Sequence, residues 1–246
     1  ILGACYKALG QLEASTKMFE RAVAIKPDYA EAHNNLGITL MQLRQLDAAV
    51  KSYEKALAIK PDFAEAHNNL GNVLKDLGQL DAAVKSYKNA IVIKPNYIEA
   101  HYSLGTTLQE LGKLDDAVKS YKEVVDIEPD FAEMHNNLGV ILKELNQKDA
   151  ALKSLERAVA IKPDFAEAHN NLGNVLKELN QLDAAVKCYE KALTIKPDYP
   201  EAHYNLGNII KDLGQLDAAV KSYEKAIALK TDYAEAYNNL GITLLA

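Results

Sequence analysis

Apolar residues follow one another along this chain with the spacing of amphipathic α-helices. In residues 30–63, His33, Leu36 and Leu40 fall on one helical face, and the polar residues between them fall on the other faces. The second half of the same segment carries another apolar stripe, in which Tyr53 is the largest residue. The pattern therefore predicts two successive helices, each with one face that must be buried.

The predicted helices are followed by residues suited to ending them. Glycine or asparagine, which tolerate the left-handed backbone conformation, stands after the first helix of most segments. Arg44 occupies this position in residues 30–63, and we expect its backbone to be slightly strained. Pro61 is predicted to stop the second helix. Asp62 and Glu65 match the Asp-x-x-Glu pattern that starts a helix by side-chain capping.

The two-helix pattern recurs every 34 residues, as shown by glycine, histidine and proline residues that return at the same step. The sequence thus predicts one all-α domain, a single array over residues 1–246. Its segments are a partial repeat at 1–29, full repeats at 30–63, 64–97, 98–131, 132–165, 166–199 and 200–233, and a partial repeat at 234–246. Because both ends of the array fall inside a hairpin, we expect apolar end faces through which the chain self-associates end to end.

The repeat resembles the tetratricopeptide repeat (TPR) family over essentially the whole chain. The residues that carry the resemblance, with their equivalents at steps of 34, are Leu36, Gly37, Leu40, Ala49, Tyr53, Ala56 and Pro61. His33 and Leu40 stand where the family often has tryptophan and tyrosine, and we interpret both as packing variants. The resemblance implies a right-handed superhelical solenoid of 34-residue helix-turn-helix repeats, with the first helix of each repeat on the concave side.

The polar face of the first helices supplies the candidate ligand contacts. On a helical wheel centred on Leu36, the opposite face carries a glutamate row that begins at Glu31, with asparagine rows beside it. Ile38 and Met41 form an apolar spot on the same face. With the concave orientation that the resemblance implies, the predicted peptide-binding residues are Asn34, Asn35, Asn68, Asn69, Tyr102, Asn136, Asn137, Asn170, Asn171, Tyr204, Asn205, Asn238, Asn239, Ile38, Met41, Asn72, Asn174 and Asn208.

The asparagine rows indicate how a ligand could be held. A carboxamide offers both donors and an acceptor, so it can pair with the N–H and C=O groups of a peptide of any sequence. Neighbouring repeats are about 10 Å apart, so one asparagine per repeat meets about every third residue of an extended chain. The rows are similar to the asparagine ladder of O-linked N-acetylglucosamine transferases, although Ser103 interrupts them. The alternative interpretation is that these residues only bond across adjacent helices.

Charge and residue chemistry argue against other classes of function. The net charge of −6 disfavours nucleic-acid binding, and no apolar run is long enough to span a membrane. The six histidines recur once per repeat and cannot converge on one metal ion. Cys5 and Cys188 are too far apart in the array for a disulfide. No residue stands in unique surroundings as catalytic residues do, so we expect no enzymatic activity, no metal and no cofactor.

We therefore predict a protein–protein interaction scaffold in the cytoplasm that binds a peptide segment or helix in its concave groove. A clamp for a terminal carboxylate, as in chaperone-binding members of the family, is disfavoured because Glu31, Asn34 and Asn35 stand at its cationic positions. An alternative function is that of a substrate-recruiting arm of a larger enzyme, such as a glycosyltransferase.

Overall fold

The structure is a computed structural model that describes residues 11–245. These residues form fourteen helices and no strand. In chain order the helices are α1 Leu12–Ile25, α2 Ala30–Gln42, α3 Leu46–Ile59, α4 Ala64–Asp76, α5 Leu80–Ile93, α6 Ile98–Glu110, α7 Leu114–Ile127, α8 Ala132–Glu144, α9 Lys148–Ile161, α10 Ala166–Glu178, α11 Leu182–Ile195, α12 Pro200–Asp212, α13 Leu216–Leu229 and α14 Ala234–Leu244.

The helices pack as hairpins in the order of the chain. From α2 to α12, each even-numbered helix is the first helix of a repeat and packs most extensively on the odd-numbered helix that follows it. The structure divides into two compact units, one ending at Ile127 and the other beginning at Glu128, and within each unit every hairpin packs on the next. The predicted all-α fold of helical hairpins is confirmed. A single continuous array and the handedness of its superhelix stay predictions.

The two helices of a hairpin approach closely because small residues line their contact. A β-carbon placed on Gly37 of α2 would lie 2.6 Å from Cε1 of Tyr53 in α3, so the tyrosine ring occupies the space that any larger residue would need. Ala49 and Ala56 of α3 are fully buried. The same glycine contact recurs with Gly71 against Tyr87, Gly105 against Tyr121, Gly139 against Leu155, Gly173 against Tyr189, and Gly207 against Tyr223.

The first helices end as predicted, in a residue with a left-handed backbone. Arg44 follows α2 with a φ of 59°, and the predicted exception to the glycine rule is therefore a residue held in an unfavourable conformation. Asparagine or glycine takes the same conformation at Gly78, Gly112, Asn146, Asn180 and Gly214. The position thus has a fixed backbone requirement that arginine meets at some cost in free energy.

The predicted side-chain cap at the start of the first helices is wrong. Helix α4 begins at Ala64, its N-cap residue is Phe63, and no side chain caps it. Asp62 lies one residue too early, in the turn that follows Pro61, so its carboxylate does not reach the first free N–H groups. The aromatic N-cap residue is instead covered by the Lys60 ammonium, which lies 4.7 Å from the centre of the Phe63 ring.

The described residues end in an exposed apolar surface on α14. Tyr237, Ile242 and Leu244 are all more than half exposed. The predicted self-association through this face stays a prediction, and the opposite end of the array, with Cys5, lies outside the described residues. No helix within residues 11–245 is both long and apolar enough to cross a membrane.

Candidate functional site

Asparagine side chains link several first helices to the first helix of the next repeat. Asn69 Nδ2 of α4 donates to Asn34 Oδ1 of α2 over 3.0 Å. The acceptor residue is 7% exposed, whereas the donor residue is half-buried. Equivalent hydrogen bonds join Asn171 to Asn136 over 2.9 Å, Asn205 to Asn170 over 3.0 Å, and Asn239 to the hydroxyl of Tyr204 over 3.1 Å. We call each of these hydrogen bonds between successive first helices a rung.

These rungs correct the helical-wheel expectation for the row that begins at Asn34. Its carboxamides were expected to point away from the buried stripe, but four of them are buried between successive first helices: Asn34, Asn68, Asn136 and Asn170. The interpretation that asparagines bond across adjacent helices thus holds for Asn34, Asn136 and Asn170. The other members, Tyr102, Tyr204 and Asn238, are exposed or half-buried.

The neighbouring row keeps its carboxamides at the surface. Asn35, Asn69, Asn137, Asn171, Asn205 and Asn239 are all half-buried. The first helices also carry the rows that begin at Ile38 and Met41 on this side, and we call this surface of each compact unit the asparagine face. In Asn69, Asn171 and Asn205, the rung uses one N–H, which leaves a second N–H and the oxygen for other partners. Ligand contact by all of these residues stays a prediction.

A second type of hydrogen bond, between tyrosine and asparagine, supports the asparagine face from beneath. The Tyr87 hydroxyl donates to Asn72 Oδ1 over 2.9 Å, and the same bond joins Tyr189 to Asn174 and Tyr223 to Asn208. Our sequence reasoning missed this bond. The signal was present, because asparagine precedes tyrosine by 15 residues in these repeats, while Val140 precedes Leu155.

One buried tyrosine has no hydrogen-bond partner at all within residues 11–245. Tyr53 is fully buried and its hydroxyl has no hydrogen bond among the described residues, because Ile38 stands where the repeats of Tyr87, Tyr189 and Tyr223 carry asparagine. Ile38 and Met41 are half-buried and pack against the core cluster that contains Tyr53 and Leu40. The predicted apolar spot is therefore partly an extension of the core.

Ser103 breaks the ladder as the sequence predicted. Asn68 Oδ1 is buried and has no hydrogen-bond partner in the described part of the chain, since the residue 35 positions later is Ser103 and carries no carboxamide. Beside the gap, Tyr102 is 40% exposed, and its ring centre lies 6.3 Å from that of Tyr121.

Lysines of the row that begins at Met41 differ in whether they are paired. The Lys75 ammonium lies 2.7 Å from Glu110 Oε1 and 3.2 Å from Thr106 Oγ1. Lys143 is paired with Glu178 at 3.3 Å. Within residues 11–245, no carboxylate lies within 4.0 Å of the ammonium groups of Lys177 and Lys211, although both side chains are half-buried.

The histidines contact loops and do not gather in one place. His33 Nε2 lies 2.9 Å from the carbonyl oxygen of Pro27, so it joins the end of one repeat to the first helix of the next. Equivalent contacts of 2.8 to 3.0 Å join His67 to Pro61, His101 to Pro95, His135 to Pro129, His169 to Pro163, and His203 to Pro197. No three potential metal ligands group together in the described part of the chain.

Comparison with known proteins identifies the repeat. The TPR repeat family model matches seven overlapping segments that span nearly the whole sequence: residues 3–44, 40–78, 71–112, 107–146, 141–180, 173–214 and 207–246. The chain belongs to the TPR family. Members of this family generally act as protein–protein interaction scaffolds, and the family assignment indicates the same broad role for this TPR protein.

Solved structures of other TPR proteins are similar to this one. A crystal structure of MamA matches 68% of this chain and 97% of its own chain, with 31% identity and a TM-score of 0.63. YrrB, described as a TPR protein with an unusual peptide-binding site, matches 77% of this chain and 97% of its own, with 23% identity and a TM-score of 0.66. The C-terminal part of a TPR protein from Cytophaga hutchinsonii matches 97% and 98%, with 15% identity and a TM-score of 0.81.

The last two similarities show the fold alone, because their identities are low. No match is found among curated protein sequences.

Proposed function

We propose that the asparagine face binds an extended peptide through the main chain of that peptide. The observation that carries the proposal is the row of half-buried carboxamides, one on each first helix except α6, where Ser103 stands. The residues that we assign to main-chain binding are Asn35, Asn69, Asn137, Asn171 and Asn205, with Asn239 at the end of the row.

The rungs prepare these carboxamides for binding. Because Asn69 Nδ2 already donates to Asn34 Oδ1, the plane of the Asn69 carboxamide is fixed before a ligand arrives. Less side-chain freedom is then lost on binding, which favours affinity. The remaining N–H and the carboxamide oxygen suit one C=O and one N–H of a peptide main chain.

The spacing of the carboxamides also suits an extended ligand. Packed helices are about 8–10 Å apart. A polyproline II chain rises about 3.1 Å per residue and has three residues per turn, so every third residue returns to the same side after about 9 Å. One carboxamide per repeat can therefore meet every third residue of such a chain.

The proposal is tested with peptides selected from a random 12-residue display library against this protein. In a selected peptide, methylation of single main-chain nitrogens should weaken binding by about two- to tenfold at every third position, as expected for one lost hydrogen bond. Uniform effects along the peptide, or none, would contradict main-chain recognition.

Protein variants give the matched comparison. Asn35→Ala and Asn137→Ala each remove a surface carboxamide for which the described residues provide no rung, so they should weaken peptide binding without lowering stability. Lys187→Ala, on the exposed side of α11, should leave affinity unchanged. Equal losses from all three variants would place the ligand elsewhere.

Other parts of the proposal are broader. We expect this chain to have no catalytic activity of its own and to act in the cytoplasm. The role of a substrate-recruiting arm would use the same surface.

The exposed residues of α14 support the further proposal of end-to-end association, which sedimentation at increasing protein concentration would detect. Leu244→Glu should abolish that association, and a monomer at every concentration would refute it.

A further inference from the structure

The lysines of the asparagine face are not equivalent, because only Lys75 and Lys143 have an ion-pair partner among the described residues. Lys143 of α8 reaches Glu178 of α10, the residue 35 positions later, and Lys75 reaches Glu110 in the same way. The corresponding residue for Lys177 is Asp212, whose side chain is one methylene shorter than glutamate, and no ion pair within 4.0 Å forms.

Lys211 of α12 also has no carboxylate within 4.0 Å of its ammonium group in the part of the chain that the structure describes. The nearby carboxylates are engaged or distant. Glu178 already contacts both Lys143 and Lys148, at 3.3 and 3.5 Å. Glu167 and Glu201 stand ten residues before the two lysines on their own helices, which is about 15 Å along the axis.

Each of these two lysines has an asparagine beside it whose Nδ2 group can donate towards a ligand. Asn174 lies three residues before Lys177, and positions three apart are neighbours on a helix. Asn174 Oδ1 accepts a hydrogen bond from Tyr189, so its Nδ2 group remains available as a donor. Asn208 stands in the same relation to Lys211, with its oxygen occupied by both Tyr223 and Asn239.

We propose that the pairs Asn174 with Lys177 and Asn208 with Lys211 each bind one carboxylate side chain of the peptide ligand. An ammonium and an amide N–H together satisfy a carboxylate by charge-assisted hydrogen bonds. The inference rests on the proposed function above and names the ligand class: an extended segment with acidic residues three positions apart, which places them about 9 Å apart on the same side.

The other repeats lack this combination. In the unit that ends at Ile127, Ile38 and Met41 are apolar, and Lys75 is already neutralised by Glu110. In α8, Lys143 is paired with Glu178, and Val140 stands in place of the asparagine. Acidic selectivity should therefore reside in α10 and α12 alone.

The test compares display selections on the wild-type protein and on the double variant Lys177→Gln/Lys211→Gln. The wild type should enrich peptides with Asp or Glu at positions n and n+3, and the double variant should still select peptides but without this enrichment. Wild-type peptides without acidic enrichment would overturn the inference and leave the proposed function standing. Failure of both proteins to select any peptide would overturn both.

Single variants sharpen the comparison on one selected peptide. Lys177→Gln should weaken binding of this peptide by about two- to fivefold, the effect of one exposed ion pair. Exchanging the peptide's acidic residue for its amide should cause the same loss, and combining the two changes should cause no further loss. Lys143→Gln should change affinity by less than about twofold, because that ammonium is already paired. Asp212→Glu supplies the missing methylene and should reproduce the loss seen with Lys177→Gln.

Two further measurements test whether charge governs binding of the acidic peptide: the effect of ionic strength on its affinity, and competition by another anionic ligand. The acidic peptide should bind more weakly at higher ionic strength, since its charge contacts are exposed. A single-stranded oligothymidine that bound to the same lysines more tightly than the peptide would overturn the inference in favour of a nucleic-acid ligand.

Discussion

Replacing tyrosine with phenylalanine should stabilise the hairpin that contains Tyr53 and destabilise the hairpin that contains Tyr87, because the Tyr53 hydroxyl, unlike that of Tyr87, lacks a hydrogen-bond partner among the described residues. Tyr53 and Tyr87 occupy the same place in α3 and α5, and both are fully buried. The Tyr87 hydroxyl donates to Asn72 over 2.9 Å, whereas the Tyr53 hydroxyl has no partner among the described residues. Exchanging each tyrosine for phenylalanine removes the hydroxyl and keeps the ring.

The magnitude of the effect follows from the state of the hydroxyl. Tyr53→Phe removes a buried polar group that forms no bond, so it should stabilise its hairpin by about 1 kcal/mol. Tyr87→Phe removes a hydrogen bond and leaves Asn72 Oδ1 short of a donor, so it should destabilise its hairpin by about 1 kcal/mol. The two variants should therefore differ by about 2 kcal/mol, which is about 30-fold in an equilibrium constant.

Hydrogen exchange is the suitable assay, because a repeat array does not unfold as one unit and a single melting curve would average its parts. Amide protection in α3 should rise in Tyr53→Phe, and protection in α5 should fall in Tyr87→Phe. In an Ile38→Asn background, which restores the missing acceptor, Tyr53→Phe should become destabilising. Equal losses of protection from both phenylalanine variants would refute the hydrogen-bond reasoning.

Three other expectations concern stability. Arg44→Gly should raise the stability of the α2–α3 hairpin by about 1 kcal/mol, because a φ of 59° is unfavourable for a residue with a β-carbon. Hydrogen exchange in this hairpin should slow in Arg44→Gly and should show no such gain in Arg44→Ala. Ser103→Asn should give Asn68 Oδ1 a donor and slow hydrogen exchange in α4, and unchanged exchange would count against the rung. Burial raises the pKa of Tyr87, Tyr199, Tyr223 and Tyr233 from 10.0 to about 12. The stability that these tyrosines contribute is therefore complete below about pH 10 and is lost as the pH rises through 12. A urea midpoint that stayed constant over this range would contradict the raised pKa values.

The sequence by itself determined the local structure of this protein. A 34-residue period of apolar faces located every described helix from α2 onwards, because helix formation depends on residues three and four positions apart. The backbone of Arg44 was also predictable, since its place in the repeat is taken elsewhere by glycine and asparagine. Both inferences use only neighbours along the chain and copies of the same position.

The tertiary structure decided which polar groups are free. Asn34 was expected to be open to a ligand, but the first helix of the next repeat covers it and Asn69 bonds to it. Lys177 and Lys143 read alike in sequence, yet only Lys143 is paired, because the distance between successive first helices suits glutamate and not aspartate. A helical wheel describes one helix, whereas burial and pairing depend on the distance to the next helix, which the packing of hairpins sets.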